Sequence, residues 1–287
     1  MKNRTVAHIL KSEVIQMGHL EVKQPLPTVK VEQISPFLLL HHFGPMGVEA
    51  GSDPLDLGPH PHRGFEPVTF LYQGGIRHKD SRENEGVLQG GDVQWMTAGR
   101  GIIHSERASK AFLESGGVME GIQLWVNLPK QYKMAQPGYQ DIKSHQIPVL
   151  TEDDGGVSIK VVAGTYKGAK GPARTFTPIL ALQAQFQSGG YASIEIPGHF
   201  NALAYILNGE VTLNDNFSYT AEHLLHFRND GESFTLRAKA ASQVLILAGE
   251  PIDEPVASWG PYVMNTQTEI MEAMRDYQMG KMGVYVD

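Results

Sequence analysis

The amino-acid sequence predicts an all-β protein, two antiparallel β-barrels followed by one short helix. Three observations carry that expectation. Apolar segments of about four to eight residues alternate with glycine-rich turns through most of the chain, the pattern of a sandwich or barrel. The composition, 31 Gly and 17 Pro in 287 residues, favours many turns over long helices. A short echo links the two halves: VTFLYQGGIRHKDS sets Phe70 four residues before Gly74, and LAYILNGEVTLND sets Tyr205 four residues before Gly209.

In chain order, EVIQM and VKVEQI (Val29 to Ile34) are expected strands, and FLLLHHFGPM is an apolar run ended by turn residues. Either His41 or His42 in that run is placed to face a cavity. EPVTFLYQGG, EGVLQGGDVQWMTAGRG and MEGIQLWVNLP continue a first barrel over residues 1–130. The polar stretch that follows, broken by Pro137 and Pro148, reads as a linker or long loop at 131–148. Strands resume in VSIKVVAGTYKG, ILALQAQF and YASIEIP, a second barrel over 149–287. Near the C-terminus Thr266 and Glu269 have capping-box spacing, Ile270, Met274 and Tyr277 recur at helical intervals, and Gly280 is a stop. This helix is expected to pack rather than to act.

Composition narrows the function. A formal net charge of -7, with both signs mixed along the chain, offers no broad cationic face for a nucleic-acid backbone, so direct nucleic-acid binding is not expected. With Cys 0, disulfides, thiolate ligands and cysteine nucleophiles are ruled out and the cytoplasm is the expected compartment. No run approaches the roughly 20 apolar residues of a membrane span, and the N-terminal stretch lacks the apolar core of a signal peptide.

The chemistry is concentrated in two segments, HPHRGFE from His60 to Glu66 and GRGIIHSE from Gly99 to Glu106. In extended backbone, residues i and i+2 share a face, so His60 points with His62 and His104 with Glu106. Two such pairs on neighbouring strands can converge on one divalent first-row metal and leave coordination positions open. The glycines of GGDVQWMTAGRG lack the helix and lysine of a phosphate loop and read as hairpin turns. Trp95, Met96 and Trp125 reach either a cavity or the barrel core. In the second half the echo offers only Glu195-Ile196-Pro197, with His199 unpaired and His223 and His226 three apart, so that barrel is expected to lack a metal site.

The segments from His60 to Pro129, together with GPYVMNTQTEIMEAMRDYQMGKMG at the C-terminus, resemble the pirin family of the cupin superfamily. The resemblance implies a bicupin of two jelly-roll barrels. It also implies one metal ion on His60, His62, His104 and Glu106, with Fe(II) the usual metal and Mn, Ni, Cu, Co and Zn left open. Glu66, an occasional ligand in the wider superfamily, is expected beside the site, orienting a ligand imidazole or Arg63; His78, with Asp80, and Trp95 are expected behind the ligands or at the pocket rim. The implied activity is quercetin 2,3-dioxygenase: a small aromatic substrate and O2, release of carbon monoxide, and Glu106 as catalytic base. Two alternatives remain in view: a metal-dependent or redox-sensing regulator that binds a protein partner, and a cupin enzyme for another small molecule.

Overall fold

The structure, a computed structural model, describes residues 2–55 and 57–287. It is mostly β. Contacts group the chain into two compact units. One comprises Met1–Glu13, Gln24–Pro36 and His145–Pro251; the other comprises Val14–Lys23, Phe37–Ser144 and Ile252–Asp287.

Each unit pairs a seven-stranded with a four-stranded antiparallel sheet. In the second-named unit the four-stranded sheet runs Leu57–His62, Ile102–Ala108, Gly75–Asp80, Glu85–Gln89 in spatial order. In the other, the sheet runs Tyr191–Glu195, Ser233–Ala238, Glu210–Leu213, Phe217–Thr220. Both sheets of a unit send side chains into one core. Leu71 and Met119 meet Ile76, Leu88 and Ala108 in one unit; Leu182 and Ile246 meet Ile194, Phe234 and Leu236 in the other. The expected closed barrels are not formed, because the ladders end at open edges in each sheet.

The internal echo marks equivalent turns. Gly74 (φ 98°) joins Phe65–Gln73 to Gly75–Asp80, and Gly209 (φ 81°) joins Asn201–Asn208 to Glu210–Leu213. Positive φ with backbone or side-chain atoms close by admits glycine and little else.

Several expectations meet a different outcome. Val29 to Ile34 is not a strand: Val29 is fully exposed and the segment lies between Pro27 and Pro36, which supply no backbone donor. The stretch 131–148 contains a strand, Gly138–Ile142, which extends the seven-stranded sheet by pairing with Val93–Thr97. A short helix, Lys110–Ser115, is capped by the Ser109 side chain and has no strong signal in the sequence. The spatial grouping also departs from the linear boundaries 1–130, 131–148 and 149–287. Strand Val6–Lys11 pairs with His223–Phe227, and the C-terminal helix groups with residues 37–144. That helix, Gln267–Gln278, has the expected capping box between Thr266 and Glu269. Its Ile270 and Ala273 pack with Ile103, Tyr262 and Met264, which explains the grouping.

Candidate metal centre

Strand Ile102–Ala108 lies at the middle of the four-stranded sheet, so its inward residues see ladders on both sides. His104 sits opposite His60 on one ladder and opposite Asp80 on the other. A register shift brings Glu106 opposite Leu57, and across the other ladder it faces His78. His60 and His62 share a face by simple alternation. The rings of His60, His62 and His104 consequently converge, with centroid separations of 4.4, 4.8 and 4.8 Å. One nitrogen from each lies within 4.8 Å of the others. A second group, His78, His104 and Glu106, meets the same criterion and shares His104.

The hydrogen bonds determine which nitrogens face inward. His60 Nδ1 lies 2.8 Å from the Gly58 carbonyl, which only accepts, so Nδ1 carries the proton and Nε2 keeps its lone pair. Behind His104, Asp80 Oδ2 lies 3.3 Å from His78 Nε2, and His78 Nδ1 lies 3.4 Å from His104 Nδ1. The ionised Asp80 accepts from His78 Nε2–H, leaving His78 Nδ1 to accept from His104 Nδ1–H. His104 Nε2 is thereby a bare lone pair, and it is buried without a hydrogen bond. The His62 nitrogens likewise lack a hydrogen bond of normal geometry, with the Pro261 carbonyl near the ring. Phe65 and Trp125 hold that ring edge-on at 5.1 and 5.6 Å, and Tyr139 stacks on His78 at 4.3 Å.

Electrostatics keep the His62 and His104 imidazoles neutral. Burial, reinforced by the neighbouring His60, pushes the His62 pKa well below its ordinary value; burial with His60, His62 and His78 does the same to His104. Burial works to raise the Asp80 pKa, but hydrogen bonds from His78, the Asn84 side chain and the Arg82 and Asn84 backbone outweigh it and hold the carboxylate ionised. Neutral imidazoles with unpartnered nitrogens are the donor set that a divalent first-row ion takes, so these residues fit a metal.

Glu106, 3% exposed, reaches from this sheet to the seven-stranded one. Its Oε1 accepts from the Thr69 hydroxyl at 3.2 Å and from the Gln94 amide, and its Oε2 accepts from the Gln123 amide at 3.1 Å. Trp125 Nε1–H in turn donates to Gln123 Oε1 at 3.4 Å. A small pocket of about 20 Å³, room for about one water, ends on Glu106, Thr69, Gln123 and His41. Burial lowers the His41 pKa to about 4. The adjacent His42 turns to the other face and meets Glu120 at 3.2 Å.

Three residues expected at the rim point elsewhere. Thr69 and Gln94 are paired across one ladder and face the site; Val68 and Trp95, the next pair, face away. Glu66 shares that far face, where its carboxyl accepts from Thr97 Oγ1 at 2.7 Å and burial raises its pKa to about 7. Neither Glu66 nor Trp95 therefore orients a site imidazole. Arg63 donates to the Arg100 carbonyl at 2.7 Å and pairs with Asp276 of the C-terminal helix at 3.0 Å, anchoring that helix. His78 and Asp80 do lie behind His104. Gln94, Gln123 and Thr69 were not singled out from sequence, although a polar residue at an inward position of an otherwise apolar strand was the available signal.

Comparison with known proteins bears on the family. The family model described as Pirin matches residues 19–126, and that described as Pirin C-terminal cupin domain matches residues 181–283. "Putative quercetin 2,3-dioxygenase PA2418" of Pseudomonas aeruginosa is 39% identical, covering 87% of each chain. "Pirin-1" of Arabidopsis thaliana is 39% identical over 98% of this chain and 97% of its own. A crystal structure of quercetin 2,3-dioxygenase from Acinetobacter baumannii superposes with a TM-score of 0.94 at 36% identity, over 99% of this chain and 100% of that one. With both halves matched in order and relatives aligned along nearly their full lengths, the chain belongs to the pirin family.

Proposed function

We propose that this protein is a mononuclear metal-dependent dioxygenase that opens the central ring of a flavonol, such as quercetin, with release of carbon monoxide. His60, His62, His104 and Glu106 are the ligands in this reading, and Fe(II) is the ion. The observation that carries it is the meeting of three imidazoles, among which the His62 nitrogens and His104 Nε2 are buried without a hydrogen bond, on the sheet that also carries the buried Glu106. The names of relatives from Pseudomonas and of the Acinetobacter structure support the reaction class.

A bound divalent ion supplies Lewis-acid stabilisation of a substrate anion and the redox capacity that dioxygen chemistry requires. The protein's own residues have separate tasks. Glu106, held by Thr69, Gln94 and Gln123, takes the proton from the flavonol 3-hydroxyl as the substrate seats. The Asp80–His78 pair fixes the tautomer of His104, and the Gly58 carbonyl fixes that of His60. Apolar side chains beside Glu106, among them Leu55, Leu57 and Ile76, keep bulk water from its carboxylate.

Oxygen uptake by protein loaded separately with ferrous iron and with other divalent ions, in the presence of quercetin, tests the proposal. Metal-dependent uptake matched by flavonol loss and carbon monoxide, and absent from His104→Ala, is expected. No uptake at full metal occupancy would overturn the dioxygenase assignment and favour a metal-dependent partner-binding role.

A further inference from the structure

A cleft of about 740 Å³, open to solvent, lies wholly within the residues of the unit that does not hold the candidate centre. Its volume falls among those of small-molecule sites, about 300–1,000 Å³. One wall is the connection between strands Val157–Ala163 and Ile179–Phe186. It turns at Gly164 (φ 77°), pairs Thr165–Tyr166 with Ala169–Lys170 as a short hairpin, and returns through residues 171–178. Backbone bonds fix that return: Gly171 N–H donates to the Gly164 carbonyl at 2.8 Å and Ala173 N–H to the Val162 carbonyl at 3.1 Å. A second wall includes Pro197 and Phe200, whose carbonyls each accept from the buried Arg4 guanidinium at 2.7 Å. The cleft is therefore shaped before a ligand enters, which lowers the cost of binding. Its surface is of two kinds. Pro172, Pro178, Ile179, Pro197 and Phe200 supply apolar contact, while Lys170 and Arg174 supply positive charge, and the lining includes no acidic side chain among the described residues. Lys170 is exposed and makes no ion pair among the described residues. In a chain of net charge -7, a lining of this single sign suits an anion.

We propose that this cleft binds a ring-bearing monocarboxylate, with Lys170 and Arg174 on the carboxylate and the proline and phenylalanine walls on the rings. The site is separate from the metal centre and does not depend on the reaction proposed above. Arginine offers a carboxylate a planar fork of donors and lysine a mobile point charge, so the two together hold one anionic group. A bare phosphate fits less well. The apolar walls give it nothing, and the Gly171 and Ala173 amides and the Thr175 hydroxyl already donate to the carbonyls of Gly164, Val162 and Thr177. A neutral aromatic gains the walls but leaves both cations to water, and a small carboxylate does the reverse.

Titration calorimetry of the whole protein with 2-naphthoate, 2-naphthamide, acetate and inorganic phosphate tests this. 2-Naphthoate is expected to saturate one site with a dissociation constant below about 1 mM. 2-Naphthamide should bind about tenfold more weakly, as the loss of two exposed charge contacts implies, and acetate and phosphate should not saturate in that range. Lys170→Glu, at an exposed position, should weaken 2-naphthoate by about tenfold and leave 2-naphthamide unchanged. Lys239→Glu, the same charge change in the same unit but outside the cleft, should alter either by less than about twofold. Raising salt from about 0.05 to about 0.5 M should weaken 2-naphthoate alone, and this measurement carries the test if Lys170→Glu does not fold. His104→Ala should bind 2-naphthoate unchanged, because the cleft shares no residue with the metal centre. No binding of 2-naphthoate, equal binding of 2-naphthamide, acetate or phosphate binding as tightly, equal effects of the two lysine variants, salt-insensitive binding, or loss of binding in His104→Ala would overturn the proposal.

Discussion

In the unit that holds the candidate centre, the sheet Leu57–His62, Ile102–Ala108, Gly75–Asp80, Glu85–Gln89 turns His62, His104 and Glu106 inward. The same strand order in the other unit turns Ala192, Ile194, Phe234 and Leu236 inward, and these join a continuous apolar core. One ladder sets His104 opposite His60; the ladder between the corresponding strands of the other unit includes the buried apolar pair Phe234 and Ile194. Among the described residues, both groups able to hold a metal lie in the first of these sheets. One architecture thus accommodates a reactive interior or a packed one, and a handful of inward positions decides which. The reactive version leaves buried nitrogens unpartnered, a cost that a bound ion offsets.

The largest expected effect sharpens the catalytic side of this contrast. Glu106→Gln should keep three imidazoles for a metal supplied in excess yet lower turnover by about 10²- to 10⁴-fold, as measured by single-turnover flavonol loss at verified metal content. Unchanged turnover would remove Glu106 as the base. In the packed sheet, Phe234→Ala should cost about 3–5 kcal/mol in denaturant unfolding, the range for a truncated buried aromatic. A loss under about 1 kcal/mol would show that this interior is looser than its apolar lining implies. Next in size, His78→Phe retains a ring against Tyr139 but removes the acceptor for His104 Nδ1–H. Metal affinity should fall about 10- to 100-fold in competition titrations, and unaltered affinity would separate His78 from the site.

The last comparison is pH dependence. His41, with a pKa near 4, and His62 and His104, also lowered, stay neutral in the native state, whereas the unfolded chain protonates them near 6.5. The unfolded state therefore binds more protons below about pH 6.5, and metal-free stability falls as pH drops from there towards 4. Glu66, raised to about 7 in the same unit, takes up its proton in the folded state first and offsets part of this loss, which lies below about pH 6.5. In the other unit His226, lowered to about 4 by burial, His8 and Arg228, is the one such histidine among those described. Calorimetry at pH 7 and pH 5 should consequently show the greater acid loss in the unit that carries the centre. Equal losses would break the contrast.

Much of this was legible along the chain. A period of two told which residues share a face, so His60 with His62 and His104 with Glu106 could be paired before any fold was known. The Thr266–Glu269 capping box and the glycine turns at Gly74 and Gly209 are local signals of the same kind. What the sequence by itself determined was therefore the set of residue types, their spacing, the all-β character and the family. Tertiary structure alone decided which strand lies beside which, and hence that Asp80 and His78 stand behind His104. It also decided that Gln94, Gln123 and Thr69 grip Glu106, that Glu66 and Trp95 face away, and that Arg63 is committed to Asp276. The reason is physical: alternation along a strand is a property of the local backbone, whereas the face that becomes interior depends on partners distant in sequence, whose pairing no local pattern encodes.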